Sequence, residues 1–354
     1  MNVKKILSLA ASTIKLFIII LLFSFNSKAE EKNIKYYSDD SGILSLMYHR
    51  FDENKYPSTN IQMDIFKQQI KIIKNLKYNF YDPKDLEKHF HTIKKEKKIL
   101  ITIDDAFSSF YEIAWPYLKK KKIPFILFVS TETIGKNGYM TWNQIKELEK
   151  ETIVYIGNHS HTHGYLVDLN NEDFINDIDT ASAIFNKQLG YNPIFFSYPF
   201  GEYSSFIKEY ISKNFKFSFG QHSGVIDVNK DRHELPRFPI NEKYGDLKRF
   251  KFLINLYPLQ YKIVYPNDKY LTNNNPPKFY VEFFQEQKNI NNINCFSDEG
   301  NQWKKSSVNF NKNTLHINFR EKFLFRRGRV NCSLNDNGIW RWFGVQFSVK
   351  QKLN

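Results

Sequence analysis

From residue 43 to about residue 256, short apolar runs alternate with amphipathic ones. ILSLMY (43–48) reads as a buried strand. MDIFKQQIKIIKNL (63–76) then carries Ile65, Phe66, Ile70, Ile73 and Leu76 at helical spacing. KILITID (98–104) is strand-like. FYEIAWPYLKKKK (110–122) reads as a helix with Phe110, Ile113, Ala114, Tyr117 and Leu118 on one face. IPFILFVS (123–130) is a strand. TWNQIKELEK (141–150) opens with Thr141 as a plausible helix N-cap. TIVYIGN (152–158) is a further strand. Residues 171–190 form a helix whose stripe is Phe174, Ile175, Ile178, Ala181, Ile184 and Phe185, with Gly190 past its end. PIFFSYP (193–199) is the next strand.

Repeated β-then-α units with unalternating strands predict an α/β fold around a parallel sheet, either open or closed into a barrel. In such folds chemistry gathers where strands end. His49 follows the first strand, Asp104 and Asp105 end another, His159 to His163 follow a third, and Phe200 follows a fourth. One rim can therefore receive all of these groups. Beyond residue 257 the pattern changes. TNNNPPK (272–278) signals a linker. FYVEFF, SVNF, LHINF, RVNCSL and GVQFSV then read as short strands of a small all-β domain of sandwich type.

The chain has 354 residues, 42% hydrophobic and 17% aromatic. This suits one large domain plus a smaller one and excludes global disorder. The formal charge of +14 comes largely from scattered lysines. No basic run interleaved with aromatics points to nucleic acid. Lys4, Lys5 and Lys15, the apolar run 16–25 and Ser27-Lys28-Ala29 read as a signal peptide cleaved before Glu30. An uncleaved anchor, giving membrane association, is the alternative. Loss of residues 1–29 removes four lysines and leaves 47 basic against 37 acidic residues, or +10. Either reading exports the protein, to the periplasm or the cell surface. Export permits a disulfide between the two cysteines, Cys295 and Cys332, with two free thiols as the alternative.

Three of the nine histidines alternate in GNHSHTHGYL: His159, His161 and His163. At i and i+4, His159 and His163 share a face of a helical turn, and two imidazoles there suit one metal. His161 would point elsewhere. Alone, the cluster also reads as a polar loop. With Asp104 and Asp105 on a neighbouring strand end, one carboxylate can bind a metal while the other stays free as a base.

Three local motifs then carry a family resemblance. TIDDA (102–106) resembles the T-F-D-D-G of the polysaccharide deacetylases, the NodB-homology or carbohydrate esterase family four domain. HSHTH (159–163) fits that family's H-[ST]-x-x-H, and SYPFG (197–201) resembles its R-x-P-Y-G or Y-P-Y-G. Order and spacing agree over roughly residues 43–240. The resemblance implies a distorted (β/α) barrel of the NodB type. It divides the chain into a leader (1–29), a deacetylase-like domain (30–256), a linker (257–277) and a small β domain (278–354).

The resemblance also implies roles. Asp104 is the expected catalytic base, and Asp105, His159 and His163 the expected ligands of a divalent metal, zinc first, with cobalt or nickel as alternatives. The backbone N–H of Phe200 is expected at the oxyanion. The family's late Leu-x-His motif is missing after residue 201. His49 instead precedes the Asp pair, as in the permuted branch that includes poly-β-1,6-N-acetylglucosamine deacetylases, and is the expected general acid. Arg237, in ELPRFPI, is expected to orient the base. Two positions depart from the pattern: Ala106 stands for Gly, and Ser197 for the Arg of the commoner third motif. The implied activity is metal-dependent hydrolysis of N-acetyl groups from an amino-sugar polysaccharide of the envelope or exopolysaccharide. The alternatives are an O-deacetylase or a non-catalytic glycan-binding protein on the same fold. In the C-terminal region, Trp303, Trp340, Trp342 and Phe343 are expected either to stack on sugars or to fill a core. His89, His91, His222, His233 and His316 are expected to be loop, surface or packing residues.

Overall fold

Apolar runs without alternation should be strands covered on both faces, and a computed structural model describing residues 42–90, 97–227, 229–284 and 289–351 places them so. The strands of the first part are β1 (Ile43–Tyr48), β2 (Arg50–Phe51), β3 (Asn60–Ile61), β4 (Asn79–Phe80), β5 (Lys98–Asp104), β6 (Phe125–Val129), β7 (Val154–Asn158), β8 (Phe195–Ser197), β9 (Phe217–Phe219) and β10 (Phe238–Pro239). One sheet runs β10–β1–β5–β6–β7–β8–β9, with β4 joined to the start of β5. Every pairing in it is parallel. β2 and β3 pair only with each other.

The sheet curls into a parallel half-barrel, and residues 235–239 draw its edges together. Leu235 exchanges hydrogen bonds with Ser218 and Gly220 beside β9, and Phe238 and Pro239 pair with Leu46 and Met47 of β1. Ile99, Ile101, Ile103, Phe125, Leu127 and Val129 face outward into a core shared with the helices. Leu100, Ile126, Phe128, Phe195, Phe217 and Phe219 fill the inner face. Burial on both faces explains why these strands show no polar alternation.

The helices follow their expected stripes. Met63–Asn75 buries Phe66, Ile70 and Ile73, while Leu76, expected on that stripe, is exposed beyond the helix end. Trp142–Glu149 starts from a capping box between Thr141 and Gln144. Asn171–Leu189 ends at Gly190, whose φ of 84° is the left-handed stop that glycine tolerates. The helix expected over 110–122 divides into a π-turn, Phe110–Ala114, and an α-helix, Trp115–Lys121. Pro116 cannot donate a backbone hydrogen bond, so it sits in the first turn of a new segment.

The C-terminal part holds β11 (Tyr257–Pro258), β12 (Ile263–Tyr265), β13 (Tyr270–Leu271), β14 (Phe279–Glu282), β15 (Ile293–Ser297), β16 (Lys304–Lys305), β17 (Ser307–Asn311), β18 (Thr314–Asn318), β19 (Arg327–Asp336) and β20 (Ile339–Val349). One sheet runs β11–β20–β19–β15–β16 with β13 also on β20. A second runs β12–β14–β18–β17. They enclose a core that includes Phe279, Val281, Leu315, Val330, Phe343 and Phe347. Cys295 and Cys332 lie opposite each other on β15 and β19 and are disulfide-bonded. Residues 257–277, expected to be a linker, instead supply three strands, β11 to β13, to these sheets. The polar TNNNPPK signal marks only a turn within them. The leader and its alternative anchor lie outside the described residues, among which no helix is long and apolar enough to cross a membrane.

The two parts belong to one compact unit. On β19 and β20, Val330, Cys332, Leu334, Phe343, Val345 and Phe347 point into the β core. The opposite face lies on the half-barrel. Ser223 donates to Asn331 Oδ1 at 2.7 Å and accepts from Trp342 Nε1 at 3.0 Å. Trp340 and Trp342 pack against the outer core of the half-barrel. Gly344 allows this approach, because a Cβ there would sit 2.4 Å from Ser223 O. Gly344→Val should therefore lower unfolding stability by about 1–3 kcal/mol. An unchanged denaturant midpoint would show that the sheet does not seat on the 220–223 loop.

Candidate active site and metal centre

The two-residue period of β5 decides which side chains enter the half-barrel. Thr102 and Asp104 share the inner face with Leu100. Arg237, immediately before β10 and fully buried, meets that face. Its Nε–H donates to Gly220 O at 2.9 Å. Nη1 donates to Asp104 Oδ1 at 2.6 Å and Thr102 Oγ1 at 3.2 Å, and Nη2 to Asp104 Oδ2 at 2.9 Å and Ser197 Oγ at 2.8 Å. All five guanidinium N–H groups have an acceptor. Burial by itself would raise the Asp104 carboxyl, but Arg237, aided by His159 and His49, holds it below its ordinary value. Ser197, one of the two departures from the family pattern, is small enough to admit this arginine and accepts one of its hydrogen bonds.

Asp105 turns the other way. It and Ala106 have φ of 75° and 52°, so the position where the resemblance expects glycine is indeed left-handed. Alanine there costs roughly 1–2 kcal/mol of backbone energy. The turn brings Asp105 Oδ1 within 3.2 Å of His163 Nε2 and 3.5 Å of His159 Nε2. Asp104 Oδ2 lies 3.8 Å from the same His159 nitrogen.

The two imidazoles do not converge through a helical turn, as i, i+4 spacing suggested. Residues 159–163 are a bend in which Ser160 and His163 are left-handed, with φ of 71° and 55°. Side chains hold this bend. Asn158 Oδ1 accepts from Ser160 N at 2.8 Å, and Ser160 Oγ accepts from His163 N at 3.0 Å. Asp177, from the helix Asn171–Leu189, accepts from His161 N, Thr162 N and Thr162 Oγ1. His161 turns aside, its Nδ1 2.8 Å from Thr131 Oγ1. Sequence reasoning missed Asp177. Its signal was a carboxylate three residues after Phe174, on the apolar stripe of a helix.

His159 is fully buried, and its Nδ1 lies 2.7 Å from Ser197 O. That contact places the proton on Nδ1 and leaves the Nε2 lone pair aimed at the carboxylates. Burial pushes His159 down to about 4 despite Asp104 and Asp105 nearby. Burial also lowers His163, but the adjacent Asp105 outweighs it and the net shift is upward. Burial would raise Asp105, yet His163, His49 and His159 carry it well below the usual carboxylate range.

Asp105, His159 and His163 each offer a ligand atom within 4.8 Å of the others. Asp105 Oδ1 and His159 Nε2 are buried and make no hydrogen bond. Buried polar atoms rarely go unpartnered, and a cation shared between two facing electron-pair donors would satisfy both. Two imidazoles and one carboxylate suit a divalent transition metal and leave positions open for water.

Phe200 is left-handed at φ 58°. Its ring stacks on Tyr165 at 4.4 Å and meets His163 edge-on at 4.8 Å. Gln346 of β20 donates to the carbonyls of Phe200 and Gly201 at 2.9 and 3.1 Å. The C-terminal part thereby holds this loop, which the barrel motifs gave no reason to expect. His49 lines a cavity of about 800 Å³ together with Asp105, His163 and Phe200. His222, expected on a loop without consequence, also lines it, and burial pushes its imidazole down to about 4. His91 and the His89 side chain lie outside the described residues.

Residues 91–216 match the family model described as polysaccharide deacetylase. A Bacillus subtilis relative named for the same family is 27% identical over 161 residues, 45% of this chain and 57% of its own length. A poly-beta-1,6-N-acetyl-D-glucosamine N-deacetylase of Staphylococcus epidermidis is 23% identical, covering 61% of this chain and 85% of the relative. Among solved structures, the deacetylase PplD of Streptococcus pyogenes superposes with a TM-score of 0.55 at 22% identity, over 61% of this chain and 99% of that one. IcaB from Ammonifex degensii gives 0.54 at 24%, over 62% and 99%. These two establish likeness of fold.

Arg237→Met should leave a buried carboxylate without its partner and destabilise the protein by about 3–5 kcal/mol near neutral pH. Because Asp104 is depressed in the folded state, the pair's contribution is fully present above the unfolded carboxyl value and fades as pH falls through the folded one. The stability gap between the two proteins, read by urea unfolding, should therefore narrow on acidification. A gap that is absent at pH 7, or constant into acid, contradicts the pairing.

Proposed function

We propose that the chain carries a polysaccharide deacetylase domain of the NodB type and is a metal-dependent hydrolase removing N-acetyl groups from an amino-sugar polysaccharide. The observation that carries this reading is the juxtaposition of two carboxylates in different states. Asp105 is turned to two imidazoles with an unpartnered oxygen, and Asp104 beside it is bonded to Arg237.

Asp105, His159 and His163 are the ligands we assign, and zinc is the metal the donor set favours. A divalent cation there supplies Lewis acidity and brings the pKa of water beside it down toward neutrality. Asp104, kept ionised by Arg237, accepts the proton of the water that attacks the acetamide carbonyl. The Phe200 N–H, held in place by Gln346 on the neighbouring carbonyls, donates to the tetrahedral oxyanion, where one well-placed donor contributes roughly 3 kcal/mol. His49, which follows β1 and lines the same cavity as Phe200, gives a proton to the departing nitrogen. The C–N bond breaks, and the products are acetate and a free amino sugar.

We place the protein outside the cytoplasm. The leader-like N-terminal sequence and the Cys295–Cys332 disulfide both support export. We also assign residues 30–256 to the deacetylase domain, with 257–277 belonging to the β part that follows.

Two variants separate the roles. Asp104→Asn should keep stoichiometric zinc while acetate release from an N-acetylglucosamine oligomer falls at least about a hundredfold; near-normal release rejects Asp104 as the base. His159→Ala should lose the metal on dialysis, and full retention rejects the ligand assignment. Chelation of the unmodified protein should abolish acetate release, and added zinc should restore it.

A further inference from the structure

The cavity lies where the two parts of the fold meet. One wall carries the groups already described. The other comes from the C-terminal sheets, including Phe296, Trp303, Arg327 and Arg329. The aromatic residues of this part have divided roles. Phe343 lies in the β core, and Trp340 and Trp342 pack on the half-barrel. Trp303 and Phe296 keep 45% and 42% of their surface exposed. A flat, exposed indole beside a polar cleft offers an apolar face to a sugar ring while its N–H stays free for a polar partner.

Charge narrows the class of sugar. Lys243, Arg249, Arg327 and Arg329 line the cavity, against a single carboxylate among the described residues, Asp105, which faces the imidazoles. Arg327 and Arg329 alternate along β19, so both lie on the face turned to the half-barrel. Each meets a carboxylate through Nε: Glu202 at 3.6 Å and Asp298 at 3.3 Å. Their side chains are 36% and 41% exposed. Both arginines thus keep exposed surface in the cavity, and a guanidinium edge matches carboxylate, sulfate or phosphate oxygens in pairs. Deacetylating a neutral amino-sugar polymer creates an ammonium group, which this wall repels. A polymer bearing anionic groups is drawn in and leaves as a zwitterion.

We propose that the C-terminal β-sandwich supplies a subsite of the catalytic cleft, built from Trp303, Arg327 and Arg329, for an anionic sugar unit beside the one that is deacetylated. The substrate is then an acidic N-acetylated glycan. This rests on the deacetylase reading above but names a substrate class that reading leaves open.

The test uses the zinc-loaded full chain and three probes: a neutral β-1,6-linked N-acetylglucosamine oligomer, a hyaluronan oligosaccharide carrying carboxylates, and a chondroitin sulfate oligosaccharide carrying sulfates as well. Acetate release should show kcat/KM about tenfold or more higher for at least one acidic probe, a preference that fades at high salt. Which acidic probe wins distinguishes carboxylate from sulfate recognition. Arg329→Gln and Arg327→Gln should each lower the acidic value about tenfold and the neutral one much less. Trp303→Ala should weaken both. Equal or better turnover of the neutral oligomer, or arginine variants that lower all probes alike, overturns the subsite. If no probe releases acetate, the deacetylase reading fails by itself. Titration of tryptophan fluorescence with the same three probes then decides the subsite: tighter binding of an acidic probe upholds it, and equal affinity rejects it.

Discussion

The site depends on one buried ion pair. Arg237 enters the half-barrel from the segment that draws its edges together, and all five of its N–H donors are engaged around Asp104, Thr102, Ser197 and Gly220. A charged carboxylate without exposure is tolerable only with such a partner. With Asp104 secured there, the next residue is free to turn outward. Two adjacent aspartates consequently live in different electrostatic surroundings, one bonded to a guanidinium and the other facing imidazoles. The same arginine ties β5, β8 and the β9 edge together, so the curl of the sheet and the chemistry at its rim have a common cause.

Backbone strain is concentrated at this rim. Asp105, Ala106, Ser160, His163 and Phe200 are all non-glycine residues with left-handed φ. Tertiary contacts hold this rim: Met140 N on the Ala106 carbonyl, Thr131 N on the Ser160 carbonyl, Asp177 beneath the histidine bend, and Gln346 on the Phe200 loop. Such conformations persist only where the surroundings over-determine them. Several of the supports come from elements remote in sequence. The C-terminal sheets therefore have a part in shaping the rim as well as in stabilising the chain.

Much of the site was legible in the chain before any coordinates. Strand ends at 48, 104, 158 and 199 follow from apolar runs buried on both faces, the last of them observed at 197, and a parallel sheet sends those ends to one rim. The Asp pair and the alternate histidines were therefore expected together. What could not be read was how they meet. Equal spacing of His159 and His163 suggested a helical turn, whereas two left-handed residues make the bend. Ser197 looked like a lost arginine, and only the three-dimensional path of Arg237 shows why a small residue belongs there. Gln346 acts across a long sequence separation on backbone groups, and one sequence carries no mark of such a pairing, whereas Asp177 showed only as a carboxylate on the apolar stripe of a helix. The linker expected at 257–277 failed for a similar reason, since strands of two or three residues leave too little pattern to detect.

The central claim is that one carboxylate and two imidazoles share a cation. X-ray absorption at the zinc edge of the loaded full-length protein tests it directly. The account predicts a first shell of nitrogen and oxygen at roughly 2.0–2.2 Å with outer scattering from two imidazole rings. A shell of oxygen alone, without imidazole scattering, would contradict it.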